Sequence, residues 1–323
     1  MKTYLGIDVG SISTKFVLID EKNQILSSSY FRTEGDPIGA VQKGLKELKN
    51  RIARHNPGVE IAGVGTTGSA RFLTGVITGA DLVKNEITAH ARGVFYFIPD
   101  VRTVIEIGGQ DSKIIILENG VVVDFAMNLI CAAGTGSFLD AQSFRLKIPI
   151  EKFGELSLKS EKPTTIGSRC TVFCESDMIH KQQIGHKTED IVAGLCHGLA
   201  RNFLNNVARG KNIQPPIVFL GGVSENLGMR KAFEEVLGQK VVVPSYNTVM
   251  GAFGAAFLVR EKPPQKTKFL GFEISDKEIK CTSFQCQGCP NRCEVIEARI
   301  DGKIVARWGD RCGKWSNLNV NSV

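Results

Sequence analysis

Residues 6–19 read GIDVGSISTKFVLI, and residues 104–117 read VIEIGGQDSKIIIL. Aligned without a gap, the two stretches place Asp8 on Glu106, Gly10 on Gly108 and Lys15 on Lys113. In both, an apolar strand enters a glycine-rich turn and a second apolar strand leaves it, which is typical of a β-hairpin with a tight turn. Backbone N–H groups in such turns, together with hydroxyls and a lysine, bind phosphate. The repeat therefore predicts a phosphate-binding hairpin used twice, the two copies clamping one polyphosphate between two lobes.

The composition is that of a soluble globular protein. Hydrophobic residues make up 42% of the 323 residues, which is enough for two substantial cores. The formal charge of +7 is spread along the chain without a basic stripe, so we expect no nucleic-acid partner. The first strand starts within MKTYLGIDVG and the apolar stretches have strand length, so we expect no signal peptide, no membrane span and a cytoplasmic location. Nine cysteines in such a chain are metal ligands or reduced core residues rather than disulfides.

A third glycine-rich turn, FLGGVSEN at 219–226, follows another apolar strand. The order of the three turns resembles the actin, sugar-kinase and Hsp70 superfamily, in which two phosphate motifs precede an adenosine motif. The resemblance implies an α/β, two-lobed actin-like ATPase with duplicated ribonuclease-H-like lobes. Carried over by position, Asp8 and Glu106 hold Mg²⁺ through water, while Gln110 or Asp111 positions the attacking water. The other residues implied to bind ATP or ADP are Gly10, Ser11, Ser13, Thr14 and Lys15, then Gly108, Gly109, Gly134 and Gly136, and finally Gly221, Gly222 and Ser224.

Two cysteines stand where helices are predicted to begin. Cys131 lies in NLICAAGTGSFLDAQ and Cys170 in IGSRCTVFCESDMIHKQQIG. A helix N-terminus presents free N–H groups and a partial positive charge, which favours thiolate over thiol. Two such thiolates beside a nucleotide site indicate coupling between ATP and a metal cluster.

The strings IGGQDSK, MNLICAAGTGSFLD, SRCTVFCESD and FLGGVSEN narrow the resemblance. Over residues 1–260 the chain is similar to the activator (component A) ATPases of 2-hydroxyacyl-CoA dehydratases, a family that includes the ATP-binding subunits of benzoyl-CoA reductase. The resemblance implies a homodimer that holds one [4Fe-4S] cluster across its two-fold axis, with Cys131 and Cys170 of each chain as ligands. It also implies ATP-driven transfer of one electron to an iron–sulfur dehydratase or reductase, with reduced ferredoxin or flavodoxin as the donor.

The cysteine count leaves some roles open. A [4Fe-4S] cluster needs four thiolates, and the ATPase region holds only Cys131, Cys170, Cys174 and Cys196. Cys196 lies in an apolar run, IVAGLCHGLA, and is predicted to be a buried structural thiol. Cys174 is either a further ligand or a thiol packed near the cluster. Two ligands per chain imply a shared cluster and a two-fold dimer.

The last part of the chain is cysteine-rich. CTSFQCQGCPNRC at 281–293, with Cys312 beyond it, follows the linker-like EKPPQKTK at 261–268. Such a density predicts either tetrahedral zinc or a second [4Fe-4S] cluster. The predicted ligands are Cys286, Cys289, Cys293 and Cys312, with Cys281 in reserve. We expect a separate module whose deletion leaves ATPase activity intact.

The predicted organisation is therefore lobe I over 1–102, lobe II over 103–245, a helix returning to lobe I over 246–262, and the cysteine-rich metal module over 263–323. Two alternative functions remain open on the sequence. One is a small-molecule kinase, such as a sugar kinase, with GTTGSAR, Asn85, Glu86 and His90 near its substrate. The other is an ATP-sensing scaffold whose tail binds zinc.

Overall fold

The computed structural model describes residues 1–55, 57–128 and 131–316. The chain forms two compact units. The first contains Met1–Asn85 and the chain from Ala255 onward, and the second is Glu86–Gly254. Among the described residues, no helix combines the length and apolar character needed to cross a membrane.

The first unit is built on a mixed sheet of five strands, in the order β3-β2-β1-β4-β5. Its strands are β1 (Lys2–Val9), β2 (Ser13–Asp20), β3 (Ile25–Arg32), β4 (Glu60–Thr67) and β5 (Leu82–Val83). Strands β1 to β3 are antiparallel, whereas β4 and β5 run parallel to β1. Helices α1 (Pro37–His55) and α2 (Arg71–Thr78) belong to this unit. As the apolar spacing predicts, α1 buries Val41, Leu45 and Leu48 in the core.

The second unit repeats this arrangement with a sheet in the order β10-β9-β6-β7-β8. Its strands are β6 (Thr103–Ile107), β7 (Ser112–Glu118), β8 (Val121–Asn128), β9 (Ile217–Leu220) and β10 (Val241–Val242). Its helices are α3 (Glu86–Phe97), α4 (Gly136–Leu146), α5 (Ile150–Leu158), α6 (Thr171–Gln183), α7 (Thr188–Asn206) and α8 (Leu227–Leu237), while α9 (Met250–Glu261) crosses from this unit into the first. Buried apolar side chains of β6, β7 and β9 pack against those of α4 to α8, with Phe203, Phe219 and Phe233 among the largest.

The observed units differ from the predicted division at 102/103, because α3 belongs to the second unit. A Cβ added to Gly93 of α3 would lie 2.8 Å from the carbonyl oxygen of Met250, and one added to Gly120 would lie 2.6 Å from the Phe95 ring. The returning helix is also shorter than predicted. It starts at Met250 rather than at 246, since Tyr246 has a φ of 64°, which does not fit a right-handed helix.

The cysteine-rich segment is joined to the first unit rather than separate from it. It contains a 3-10 turn, Phe272–Asp276, and an antiparallel sheet of β11 (Ile279–Gln285), β12 (Glu294–Ile300) and β13 (Lys303–Trp308). Ile274 is buried in the core that contains Val41 and Leu45 of α1. The side-chain amide of Gln42 donates to the carbonyls of Ile274 (3.3 Å) and Lys277 (2.8 Å). The structure therefore differs from the expected independent module, because the tail supplies part of the core of the first unit.

Candidate functional site

The first hairpin joins an acid and a lysine across β1 and β2. Asp8 and Lys15 are directly opposite in the register, and Lys15 Nζ lies 3.2 Å from Asp8 Oδ2. The N–H of Gly10 donates to the Ser13 carbonyl at 2.9 Å, which closes the turn. Ser11 is exposed at the tip of this turn. The hairpin therefore presents backbone and hydroxyl groups beside an ion-paired carboxylate.

Thr14, which was predicted to bind phosphate, does not lie at the surface of the turn. It is fully buried, and its hydroxyl bonds that of Thr33 at 2.9 Å. Thr33 in turn donates to the Gly10 carbonyl at 2.9 Å. Thr14 and Thr33 therefore brace the turn from inside. The sequence analysis missed Thr33 because it lies outside the repeated pattern.

Gly68 is a second site residue that the sequence analysis did not single out. It follows β4 with a φ of 90°, and an added Cβ would lie 2.5 Å from both Asp8 Oδ1 and the Val9 carbonyl oxygen. Only glycine fits this approach without strain. The preceding Thr67 is buried, and its hydroxyl has no hydrogen-bond partner in the part of the chain that the structure describes. The sequence feature that could have indicated Gly68 is its place directly after β4, a strand that runs parallel to β1.

The second hairpin contains a denser set of charges. Glu106 and Lys113 are opposite in the register, and Lys113 Nζ lies 2.8 Å from Glu106 Oε2 and 2.9 Å from Asp111 Oδ2. Burial lowers the pKa of Lys113, but the attraction of the two carboxylates outweighs it and holds that pKa above its usual value. Lys113 is therefore charged and lies between two carboxyl groups. The Asp111 carboxyl group is paired with Lys113, whereas Gln110 is exposed at the turn.

The predicted adenosine motif borders the same carboxylate. Gly221 has a φ of 85°, and an added Cβ would lie 2.3 Å from the Ile107 carbonyl oxygen and 2.8 Å from Glu106 Oε1. Ser224 is buried, donates to the Gly221 carbonyl at 2.7 Å and accepts from Asn247 Nδ2 at 2.7 Å. Ser224 therefore fixes the loop, while Gly222 is its exposed member.

The two key cysteines are both half-buried in the second unit, but they start different elements. Cys170 is the N-cap of α6, as predicted. The prediction that Cys131 begins an α-helix is wrong, because it precedes a three-residue 3-10 turn, Ala132–Gly134, and α4 begins only at Gly136. The Asn128 side chain holds Cys131 in this extended position by accepting from its N–H (3.0 Å) and donating to its carbonyl (2.7 Å).

The other two cysteines of the second unit are buried. The Cys174 thiol donates to the Gly167 carbonyl at 2.6 Å. Burial, and then the charges of Cys170, Asp177 and Cys131, raise the pKa of Cys174 to about 11, so it is a protonated neighbour of the two half-buried thiols. Burial raises the pKa of Cys196 to about 12, and this residue packs in the core as predicted.

The segment after Cys131 is hydrogen-bonded to the loop of the second hairpin. The N–H of Gly136 donates to the Gly108 carbonyl (2.9 Å), and the N–H of Ser137 donates to that of Gly109 (2.8 Å). The Ser137 hydroxyl also donates to the Gly109 carbonyl (2.6 Å). Gly136 and Ser137 thus join the second predicted phosphate loop to the segment that follows Cys131.

In the tail, Cys286 is buried while Cys289 and Cys312 are exposed. The Cys286 sulfur accepts from the Trp315 indole at 3.2 Å and from the Gly288 N–H at 3.4 Å, and these bonds lower its pKa. Within residues 1–55, 57–128 and 131–316, no three or more His, Cys, Asp or Glu side chains are grouped so as to hold a metal ion.

With this geometry described, comparison with known proteins defines the class. The (R)-2-hydroxyglutaryl-CoA dehydratase activating ATPase of Acidaminococcus fermentans is 36% identical over 259 residues, which is 80% of this chain and 97% of that protein. The 2-hydroxyisocaproyl-CoA dehydratase activator of Clostridioides difficile is 33% identical over 267 residues, 82% of this chain and 97% of that protein. The solved structure of the activator of the 2-hydroxyisocaproyl-CoA dehydratase from Clostridium difficile with bound ADPNP matches with a TM-score of 0.73 and 33% identity, covering 80% of this chain and 95% of that chain.

These similarities identify the fold as the actin-like ATPase fold, with a small antiparallel sheet added at the C-terminus. The chain matches the BadF/BadG/BcrA/BcrD ATPase family over residues 5–259 and belongs to it. It is therefore an ATPase, as the sequence predicted, and the small-molecule kinase alternative is not favoured. The segment from residue 260 onward lies outside the family match.

Proposed function

We propose that this chain is an ATP-driven one-electron donor that activates a partner iron–sulfur enzyme. The observation that carries the proposal is the bonding of the Cys131 segment to the second hairpin, through Gly136 and Ser137. An ATPase that only hydrolysed nucleotide would not need two half-buried thiols beside a phosphate loop. The names of the relatives, activators of 2-hydroxyacyl-CoA dehydratases, support the same reading.

Nucleotide binding is assigned to the turns of the two hairpins, where Ser11 is exposed and Gly10, Lys15, Gly108 and Gly109 are half-buried. Ser11, the turn of Gly10 and the ammonium of Lys15 bind phosphate in the first unit, and Gly108 and Gly109 do so in the second. Asp8 and Glu106 hold Mg²⁺ through water, which suits an ion that keeps several waters. Gln110 positions the attacking water, since the Asp111 carboxylate is paired with Lys113.

Cys131 and Cys170 are the proposed ligands of a [4Fe-4S] cluster shared between two copies of the chain. They fit this group because two thiols supply half of the four required, and because both are half-buried rather than enclosed. Cys174 is an unsuitable ligand, since its thiol donates to a carbonyl. When bound, the cluster supplies one electron at low potential.

The second copy is supported by exposed apolar side chains on α6, which Cys170 caps, and on α4, which follows the Cys131 segment. Phe144 of α4 is 84% exposed, and Val172 and Phe173 of α6, directly after Cys170, are 70% and 60% exposed. Side chains of this kind favour burial in an interface. A two-fold homodimer brings two Cys131 and two Cys170 to one axis.

The proposed electron acceptor is a 2-hydroxyacyl-CoA dehydratase or a related reductase, and the donor is reduced ferredoxin or flavodoxin, in the cytoplasm. The tail is proposed to hold zinc or a second [4Fe-4S] cluster with Cys286, Cys289, Cys293 and Cys312 as ligands. The two N–H groups that donate to the Cys286 sulfur favour a thiolate there and support this assignment.

The test is the iron, sulfide and zinc content of protein purified without oxygen. We compare the wild type with Cys131→Ala, Cys170→Ala and the control Cys196→Ala, which alters a thiol packed in the core. We expect about two irons per chain lost in Cys131→Ala and in Cys170→Ala and retained in the control. Zinc alone, unaffected by Cys131→Ala and Cys170→Ala, would return the chain to an ATP-sensing scaffold.

A further inference from the structure

Three polar side chains meet at Gly134, inside the second unit. A Cβ added to Gly134 would lie 3.1 Å from Asn202 Oδ1, 3.2 Å from Asn128 Nδ2 and 3.7 Å from Ser112 Oγ. Asn128 is the residue that holds the backbone of Cys131. Ser112 is the first residue of β7, directly after the second phosphate loop. Gly134 therefore marks a junction between this loop and the Cys131 segment.

Asn202 links the same junction to the other cysteine. It lies on α7 and is 2% exposed. Its amide nitrogen donates to the carbonyl of Ser168, and at 3.4 Å to that of Arg169. These two residues directly precede Cys170. One buried side chain thus contacts the backbone that leads into α6, while its amide oxygen lies beside Gly134.

Two buried atoms at the junction are complementary. Among the described residues, neither Ser112 Oγ nor Asn202 Oδ1 has a hydrogen-bond partner. A hydroxyl donates and an amide oxygen accepts, and leaving either buried group unsatisfied costs about 1–3 kcal/mol. A movement that joins them, directly or through one water, is therefore favourable.

We infer that Asn202 is a positioning residue that couples nucleotide at the second hairpin to the segment of Cys170. When the Gly108–Asp111 loop binds phosphate, Ser112 Oγ donates to Asn202 Oδ1, directly or through one water. The amide of Asn202 then shifts the carbonyls of Ser168 and Arg169, and with them the start of α6. This inference rests on the proposed function for its purpose, but the coupling itself requires only that the second hairpin binds nucleotide.

The test is hydrogen–deuterium exchange of the full chain, with and without a non-hydrolysable ATP analogue. In the wild type we expect nucleotide to slow exchange at 108–112 and to change exchange at 168–174 by at least about fivefold, the lower end of typical coupling. Asn202→Ala is expected to abolish the change at 168–174 while protection at 108–112 persists. The control is Asn205→Ala, an exposed asparagine on the same helix, which should behave like the wild type.

A merely structural role for Asn202 predicts a different result. The variant would then be less stable but would keep the full nucleotide response at 168–174, and the inference would be wrong. Asn202→Leu provides a second, apolar variant of similar size that removes the two donated hydrogen bonds without burying a charge, in case Asn202→Ala does not fold. Ser112→Ala should reduce the response at 168–174 as Asn202→Ala does, and the double variant should lose no more than either single one.

The outcome also separates this inference from the proposed function. Coupling measured in a chain that contains no iron would retain the role of Asn202 and overturn the electron-donor proposal. Iron shared through Cys131 and Cys170, with an unchanged exchange response in Asn202→Ala, would support the electron-donor proposal and overturn the role of Asn202. A wild type in which nucleotide leaves 108–112 unprotected would overturn the nucleotide assignment and this inference together.

Discussion

The two hairpins of this ATPase, β1–β2 and β6–β7, have the same arrangement of residues but different surroundings. In each, the first strand carries an acid that is paired with a lysine directly opposite. In each, a glycine of positive φ follows the parallel strand on the other side and approaches the acid closely. The two sets are Asp8, Lys15 and Gly68 in the first unit, and Glu106, Lys113 and Gly221 in the second.

The surroundings of the two hairpins differ in charge and in the segment of this chain that is hydrogen-bonded to each of them. In the second hairpin Asp111 adds another carboxylate to Lys113, where the first has Ser13. In the second hairpin, the loop carbonyls accept hydrogen bonds from the segment that follows Cys131. In the first hairpin, the Val9 carbonyl accepts from the N–H of Ala70, at the entry to α2. The two hairpins therefore share one arrangement of acid, lysine and glycine, and among the described residues the Cys131 segment is hydrogen-bonded to the loop of the second.

The largest difference is expected from removing the lysines. Lys113→Met leaves Glu106 and Asp111 together without their shared cation, and breaking a buried ion pair in this way costs about 3–5 kcal/mol. Lys15 is more exposed and its own hairpin lacks the second carboxylate, so Lys15→Met should cost clearly less. Urea unfolding of both variants measures the difference. Equal losses would mean that the additional charge at Asp111 contributes nothing.

The glycines test what the two hairpins share. A methyl group at Gly221 or Gly68 would push against backbone and against the carboxylate, so each Ala variant should lose about a hundredfold in ATPase activity. Gly238→Ala and Gly58→Ala are matched controls, since both glycines have positive φ but no described residue places an atom within 4 Å of the added Cβ. If the control variants lose as much ATPase activity, the effect at Gly221 and Gly68 is due to backbone strain alone.

The tail is expected to stabilise only the first unit. Ile274 is buried against α1, and Leu or Ile to Ala changes in cores cost about 2–5 kcal/mol. Because the tail packs at the surface of this core, we expect Ile274→Ala to lie near the lower end, about 2 kcal/mol, by thermal unfolding. Val305→Ala, at an exposed position of β13, is the control. A chain ending at residue 262 should be destabilised in the same unit, contrary to the sequence-based expectation that its ATPase activity is unaffected.

The sequence predicted the duplicated hairpins because their pattern is local: each acid and lysine lie seven residues apart and meet in the register. It also predicted Cys170 at a helix start, since an N-cap depends on the next few residues. It did not predict Gly68 or Asn202, whose contacts lie 60 and 33–34 residues away along the chain. It misplaced the start of α4, because the hydrogen bonds to Gly108 and Gly109 that fix this segment come from a distant loop.

The smallest expected effect concerns the hydroxyls that hold the two loops. Ser137 donates to the Gly109 carbonyl at 2.6 Å, whereas Ser69 donates to the Val9 carbonyl at 3.4 Å. Removing a good hydrogen bond costs about 1 kcal/mol, so Ser137→Ala should raise the KM for ATP several-fold, while Ser69→Ala should change it little. The same Ser137→Ala variant should also weaken the exchange response at 168–174, because the loop is then less firmly attached to the Cys131 segment. If Ser69→Ala has the larger effect on KM, the first hairpin rather than the second governs nucleotide affinity, and the asymmetry between the two hairpins lies in their thiol connection alone.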